Sequence, residues 1–271
     1  MRKGWGPRNV EAQTAATFVF GGRHLAYTDE GEGPTTLVAV HGAPGSGRDL
    51  RHLAALLSPE LRVVRPDLAG FGSSPRWDGS HTARCRAEQV VALLDALELE
   101  RVALLGYSMG GEVAAIVAEA HPARVSHLAL LASIGPRPHR ARRNLLVRGL
   151  GALLDVERLE PLLRASLRLI LAVGGFPKRS GFDEIQETLR TLLGADFARH
   201  GERLARLEVP TLAAWCDDDQ YIEPAVFEEL VACCPPGPRL HFETGGHGLQ
   251  KTRAEEIARG LSDWLRTPPS R

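Results

Sequence analysis

Short runs rich in Val, Leu and Ala alternate with helical patterns along most of this chain, and that alternation constrains its fold more than any other feature. TTLVAV (35–40), LRVVRPD (61–67), RVALLG (101–106) and RVSHLALLAS (124–133) each read as a buried strand. Between them lie helical stretches over 48–57, 82–99 and 109–120. In the last of these, Val113, Ile116, Val117 and Ala120 recur at the spacing of one helix face. The pattern resumes with VPTLAAWC (209–216), a helix over 224–234, PRLHFE (238–243) and a final helix near 252–265. Strands joined through helices pair in parallel, because a parallel pair needs a long crossover, and both faces of the sheet are then covered. A hairpin precedes the series, with TFVF and RHLAYTDEG flanking a Gly-Gly turn.

From 136 to 206 the alternation stops. This stretch holds only leucine- and arginine-rich helical pattern, broken at Pro161, at GGFPKRSG and at Gly194. Helices inserted into such a series are expected over the carboxyl ends of the strands, where open α/β sheets bind ligands. The expected organisation is therefore an α/β core made of 18–135 and 207–266, with a helical lid, 136–206, inserted in it. Leu145, Leu146 and Leu150, with Leu153 and Leu154, are expected to form an apolar ceiling over the ligand. The stretch carries 14 Lys+Arg against 8 Asp+Glu, whereas the whole chain is balanced at 33 of each. Two readings stand: a field that draws carboxylate-bearing substrates, or a solvated basic face beside an apolar one.

The balanced charge gives nucleic-acid binding no support. No apolar run approaches the roughly 18 residues of a membrane span, and the first 18 residues lack the apolar stretch of a secretory signal. Cys85, Cys216, Cys233 and Cys234 form no CxxC pair, which favours a reduced, cytoplasmic setting and speaks against zinc.

The chemistry centres on RVALLGYSMGGEVAAIVAEAHP (101–122). Gly106-Tyr107-Ser108-Met109-Gly110 is a G-x-S-x-G motif set where a strand turns into a helix. In that context the glycines permit a tight turn that lifts Ser108 off the sheet as a nucleophile, and the helix N-terminus faces the developing negative charge. A serine nucleophile needs two N–H donors for the carbonyl oxygen of its substrate. Met109 offers one, and a residue of the loop HGAPG (41–45) the other. His41, at a strand end beside Gly42, reads as a structural histidine pinning that loop. Asp67, in RPDLAGFGSS (65–74), reads as a carboxylate that holds loop backbone. The general base is expected at His247, in the glycine-rich loop between the last strand and last helix, which gives the chain order Ser…Asp…His. Asp217, Asp218 and Asp219 all follow the strand TLAAW, and proximity alone does not choose between them.

HGAPGS, DLAGFGSS, GYSMGG, WCDDDQYIEP and GGHGLQ occur in an order and spacing that resemble the lid-bearing serine hydrolases of the α/β-hydrolase superfamily, over about residues 18–266. The resemblance implies a mostly parallel, eight-stranded sheet with helices on both faces, no cofactor, and hydrolysis of a small-molecule acyl substrate through an acyl-enzyme. It assigns the oxyanion hole to the backbone N–H groups of Ala43 and Met109. The family's acid loop, G-x-x-D-x-x-[VI], selects Asp219 with Ile222 as its apolar anchor, although Cys216 stands where glycine is usual. Serine at the elbow argues against the epoxide-hydrolase and dehalogenase branches, which use a carboxylate nucleophile. Carboxylic-ester hydrolysis is the leading expectation. Hydrolysis of a C–C bond in a ring-cleavage product, and a slow-turnover, receptor-like ligand binder, are the alternatives. Monomer and homodimer are both left open.

Overall fold

The first hairpin forms one edge of a single sheet. In the computed structural model, which describes residues 14–266 apart from 155, 175, 177 and 179, β1 (Thr14–Phe20) and β2 (Arg23–Glu30) pair antiparallel across Gly21-Gly22. The earlier residues, including most of the stretch read as lacking a secretory signal, lie outside the described residues. β2 pairs antiparallel with β4 (Arg62–Pro66), and the rest is parallel: β3 (Thr36–Val40), β5 (Val102–Tyr107), β6 (Val125–Leu131), β7 (Thr211–Cys216) and β8 (Arg239–Phe242). The order is β1-β2-β4-β3-β5-β6-β7-β8, the eight-stranded, mostly parallel sheet that the family resemblance implied.

The central strands are buried on both faces, as an apolar run without alternation requires. They are covered by α1 (Arg51–Leu57), α2 (Ala83–Ala96), α3 (Met109–Ala120), and, after the segment described next, α10 (Pro224–Cys233), α11 (Leu249–Thr252) and α12 (Ala254–Leu265). Thr82 caps α2 by accepting from Cys85 N, and Pro224 opens α10, where its missing N–H costs nothing. One apolar cluster runs from Phe18 to Leu261 through all of these elements.

Residues between β6 and β7 form α4 (Arg140–Arg143), α5 (Leu145–Leu154), α6 (Glu160–Ala165), α7 (Leu167–Gly174), α8 (Phe182–Gly194) and α9 (Phe197–Ala205). The GGFPKRSG break falls partly outside the described residues. Val147, Leu154, Ile170, Leu171, Phe182, Ile185 and Leu189 make a second, smaller apolar cluster within this segment. The segment is tied to the body by α9, whose Phe197 and Leu204 join the main apolar cluster, and by polar contacts. Arg86 on α2 and Glu187 on α8 pair at 3.1 Å with almost no exposure, and Ser80 Oγ donates to the same carboxylate at 3.0 Å.

Candidate active site

The turn between β5 and α3 places Ser108. Its backbone lies at φ 54, ψ −120, a conformation that costs a non-glycine residue about 1–3 kcal/mol. The approach of strand to helix explains the neighbouring glycines. A Cβ on Gly106 would collide with the Gly110 backbone, and one on Gly110 with the carbonyls of Val40 and His41. Ser108 N donates to Leu131 O at 2.9 Å, which fixes the turn to β6.

Ser108 Oγ lies 2.8 Å from His247 Nε2, and His247 Nδ1 lies 2.7 Å from Asp219 Oδ2. A carboxylate only accepts, so Nδ1 carries the proton and Nε2 is left to accept from the serine hydroxyl. The His247 loop turns through Gly246, whose φ of 66 is in the left-handed region. Tyr107 and Tyr221 flank the imidazole, with ring centroids 5.4 and 5.1 Å from it, and Tyr107 Oη donates to His247 O at 3.1 Å. Burial pushes the Tyr107 phenol pKa up, so it stays a neutral donor.

The three aspartates have three different partners. Asp219 is 2% exposed, and its other oxygen accepts from Tyr221 N (2.8 Å) and Ile222 N (2.9 Å). Ile222 is buried beneath it. Asp218 accepts from Gly246 N (2.7 Å) and Gly245 N (3.2 Å), bonds that hold its pKa below the usual carboxylate range. Asp217 pairs with His241 at 2.7 Å.

His41 is fully buried, donating from Nδ1 to Gly42 O at 2.6 Å and accepting at Nε2 from Leu68 N at 3.0 Å. Burial above all lowers its pKa, so both ring nitrogens serve the loop as a neutral imidazole. Asp67 accepts from Gly47 N (2.8 Å) and Ser73 N (2.9 Å), binding two loops together.

Ser108 and His247 open into a cavity of about 440 Å³. Ala43 and Met109 form the wall around the serine. Met109 is the first residue of α3, so its N–H has no acceptor within the helix. Val147, Ala172, Phe176, Leu192 and Phe197, from the segment between β6 and β7, give an apolar side.

The ceiling differs from the expected one. Leu145 and Leu146 are 76% and 64% exposed, and neither they nor Leu150 line the cavity. The reason is helical phase: α5 turns Val147, Gly151 and Leu154 inward, with Leu150 packed partly against the small apolar cluster. Leu145, Leu146 and Leu153 fall on the opposite face.

Sequence reasoning also passed over polar lining residues. Glu112, on α3 one turn beyond Ser108, is buried, and burial first of all raises its pKa to about 7. Its signal was present: it stands among small and apolar residues in MGGEVAAIVAEA. Burial likewise lowers His139 to about 4, while Nδ1 donates to Tyr221 O at 3.2 Å. Among the described residues no group of three or more His, Cys, Asp or Glu could hold a metal ion, and no helix is long and apolar enough to cross a membrane.

A family model described as the α/β hydrolase fold matches residues 35–156. The 2-hydroxy-6-oxononadienedioate/2-hydroxy-6-oxononatrienedioate hydrolase of Paraburkholderia xenovorans (strain LB400) is 30% identical, over 89% of this chain and 90% of its own length. The dihydrolipoyllysine-residue acetyltransferase component of the acetoin cleaving system of Pseudomonas putida is 30% identical over 91% of this chain and 68% of its own. Among solved structures, a meta-cleavage product hydrolase from Pseudomonas fluorescens IP01 superposes with a TM-score of 0.71 at 23% identity, covering 93% of this chain and 97% of that one. With this sheet order, this strained serine turn and relatives matched along almost its whole length, the chain belongs to the α/β-hydrolase family.

Proposed function

We propose that this protein is a serine hydrolase that cleaves a small carboxylic ester, or a related acyl bond, through an acyl-enzyme. The observation that carries the reading is the unbroken relay from Asp219 through His247 to Ser108, opening into the cavity. Ser108 Oγ attacks the substrate carbonyl carbon as His247 Nε2 takes its proton, and Asp219 stabilises the imidazolium that forms. The N–H groups of Ala43 and Met109 receive the oxyanion. The carbonyl-to-oxygen bond of the leaving group then breaks, and His247 protonates the departing alcohol. In the second half His247 takes a proton from water, whose oxygen bonds to the acyl carbon, and Ser108 leaves with the proton returned. Helices α4 to α9 serve as a lid that shapes the substrate's apolar side.

A second reading, C–C bond hydrolysis with the same three residues, is favoured by the names of relatives such as the Paraburkholderia enzyme. The substrates so named carry two carboxylates. Among the described residues, Arg140 is the only Lys or Arg that lines the cavity, and it is exposed. That lining supports ester hydrolysis of a less anionic substrate.

The test is a panel of nitrophenyl esters and thioesters set against vinylogous diketones, run on the wild type and Ser108→Ala with a fluorophosphonate probe. Ester turnover with labelling confined to Ser108 is expected. Turnover of the diketones alone would give the second reading, and labelling that persists in Ser108→Ala would end both.

A further inference from the structure

Among the described residues, Glu112 is the one carboxyl lining the cavity that the relay does not use. It lies four residues beyond Ser108, about 6 Å along the axis of α3, and is 6% exposed. No hydrogen bond or ion pair reaches its carboxyl among the described residues. Its charged neighbours Arg203 and Arg86 attract it, and each keeps a buried Nε without a hydrogen-bond partner, but their other contacts lie elsewhere. Arg86, on α2, donates to Glu187 (3.1 Å), to Thr191 (2.7 Å) and to Met109 Sδ (3.1 Å). Arg203, on α9, pairs with Glu119 at 3.3 Å and contacts His200. Asp196, the N-cap of α9, adds a like charge. The two hydroxyls on that side are satisfied, since Thr188 Oγ donates to Glu184 O at 2.7 Å and Thr191 Oγ to Glu187 O at 2.8 Å.

A buried carboxyl without a partner is costly unless something supplies a hydrogen bond. Water or an adjoining group can do so in the free protein. Glu112 also borders a second cavity of about 500 Å³, with Thr191 and Ala195 as shared wall. When an acyl group fills the apolar chamber, the partner has to come from the substrate. We propose that Glu112 determines specificity: the acyl group carries a hydrogen-bond donor, a hydroxyl or an ammonium, at a position remote from its carbonyl, and a carboxylate at that position is rejected. The inference rests on the ester-hydrolase reading and names the substrate class of the same site. The chemistry is recognition alone, and no bond forms or breaks at Glu112.

The experiment compares nitrophenyl esters of equal length ending in methyl, hydroxymethyl, ammonium or carboxylate, at pH 8, on the wild type, Glu112→Leu and Glu112→Gln. The wild type is expected to favour the donor-bearing esters over the methyl ester by roughly tenfold or more in kcat/KM, and to disfavour the carboxylate ester by at least as much. In Glu112→Leu the methyl ester should become the preferred one. Glu112→Gln, which keeps size and polarity if the leucine variant does not fold, should bring the ammonium and carboxylate esters together. The same four esters are also titrated calorimetrically into Ser108→Ala with and without Glu112→Gln, so the order is read where no turnover occurs. A wild-type preference for the methyl or carboxylate ester, or an order that survives both substitutions, overturns the proposal. Loss of fluorophosphonate labelling and of all ester turnover in the wild type would instead strike the ester-hydrolase reading, and the calorimetric order would still decide the role of Glu112.

Discussion

The two sides of the cavity are held by different physics. On the sheet side, Ser108, His247 and Asp219 stand at the ends of β5, β8 and β7, fixed by backbone bonds and by turns with little room to move. On the helical side, the short helices α5 to α8 share a small apolar cluster and leave Leu145, Leu146, Leu153, Leu162 and Leu169 exposed. A strand end can take only one course once its neighbours are paired, whereas a short amphipathic helix can roll by a fraction of a turn and present a different face. On the proposed function, the sheet side would fix the chemistry and the helical side would decide what fits.

The largest effects should come from the sheet side. Ser108→Ala is expected to lower kcat by roughly 10⁵–10⁶ if the three residues act as a unit, with the melting temperature little changed. Asp219→Asn should keep the fold yet reverse the imidazole tautomer, costing on the order of 10³–10⁴ in kcat. Asp217→Asn and Asp218→Asn, whose partners are His241 and the Gly245-Gly246 backbone, should each stay within about tenfold, as groups outside the relay do. A large loss at Asp218 and a small one at Asp219 would shift the acid by one residue.

The joint between the two regions comes next. Glu187→Ala strands Arg86, which has no exposed side-chain surface, and should destabilise by about 3–5 kcal/mol, while replacing both members by leucine should cost far less. Limited proteolysis locates the damage. Cleavage within 136–206 ahead of the core is expected, and simultaneous loss of both would mean that they unfold as one unit.

What the sequence made legible follows the same division. The proximity of Ser108, His247 and Asp219 could be read because each sits in a loop whose glycines, register and chain order leave few alternatives. The roles of His41 and Asp67 in holding loops were equally local. Glu112, His139 and Val147 were not picked out as lining residues, since their place in the cavity depends on how the helices after β6 seat over the strands. Leu145 and Leu146 were misplaced for that reason: a leucine-rich helix announces an apolar face, but its neighbours decide which leucines belong to it.

A smaller effect separates the regions by pH. Glu112 has a pKa of about 7 in the folded protein, against about 4.3 for an unperturbed glutamate. The folded state therefore binds this proton more tightly, and stability is greatest below the unfolded value and falls as pH rises through 7. Glu112→Gln has no such titration, so its stability relative to wild type should improve from pH 5 to pH 8, by on the order of 2 kcal/mol. His139, with a pKa near 4, acts in the opposite sense. The unfolded state takes up its proton first, and stability is lost as pH falls from about 6.5 toward 4. Parallel denaturation of wild type, Glu112→Gln and His139→Gln across that range resolves the two. A difference between Glu112→Gln and wild type that stays flat with pH would mean that the carboxyl is paired in solution.

The smallest effect tests the phase of α5 itself. Val147 is 7% exposed and lines the cavity, whereas Leu145 and Leu146 project into solvent two and one residues earlier. At about 100° per residue, two steps along a helix carry a side chain to nearly the opposite face. Val147→Ala removes two methyl groups from the wall and should shift acyl-length preference by about 1 kcal/mol, or roughly fivefold in the ratio of kcat/KM between a short and a longer ester. The direction is set by the space gained, so the longer acyl group should benefit. Leu145→Ala and Leu146→Ala remove more carbon, yet should change that ratio by less than about twofold, because surface substitutions away from the cavity leave the packing alone. Measuring the three variants on one ester series decides between the faces. If Leu146→Ala moves the preference and Val147→Ala does not, α5 is rolled in solution by about one residue, and the cavity has the leucine ceiling that its composition suggested.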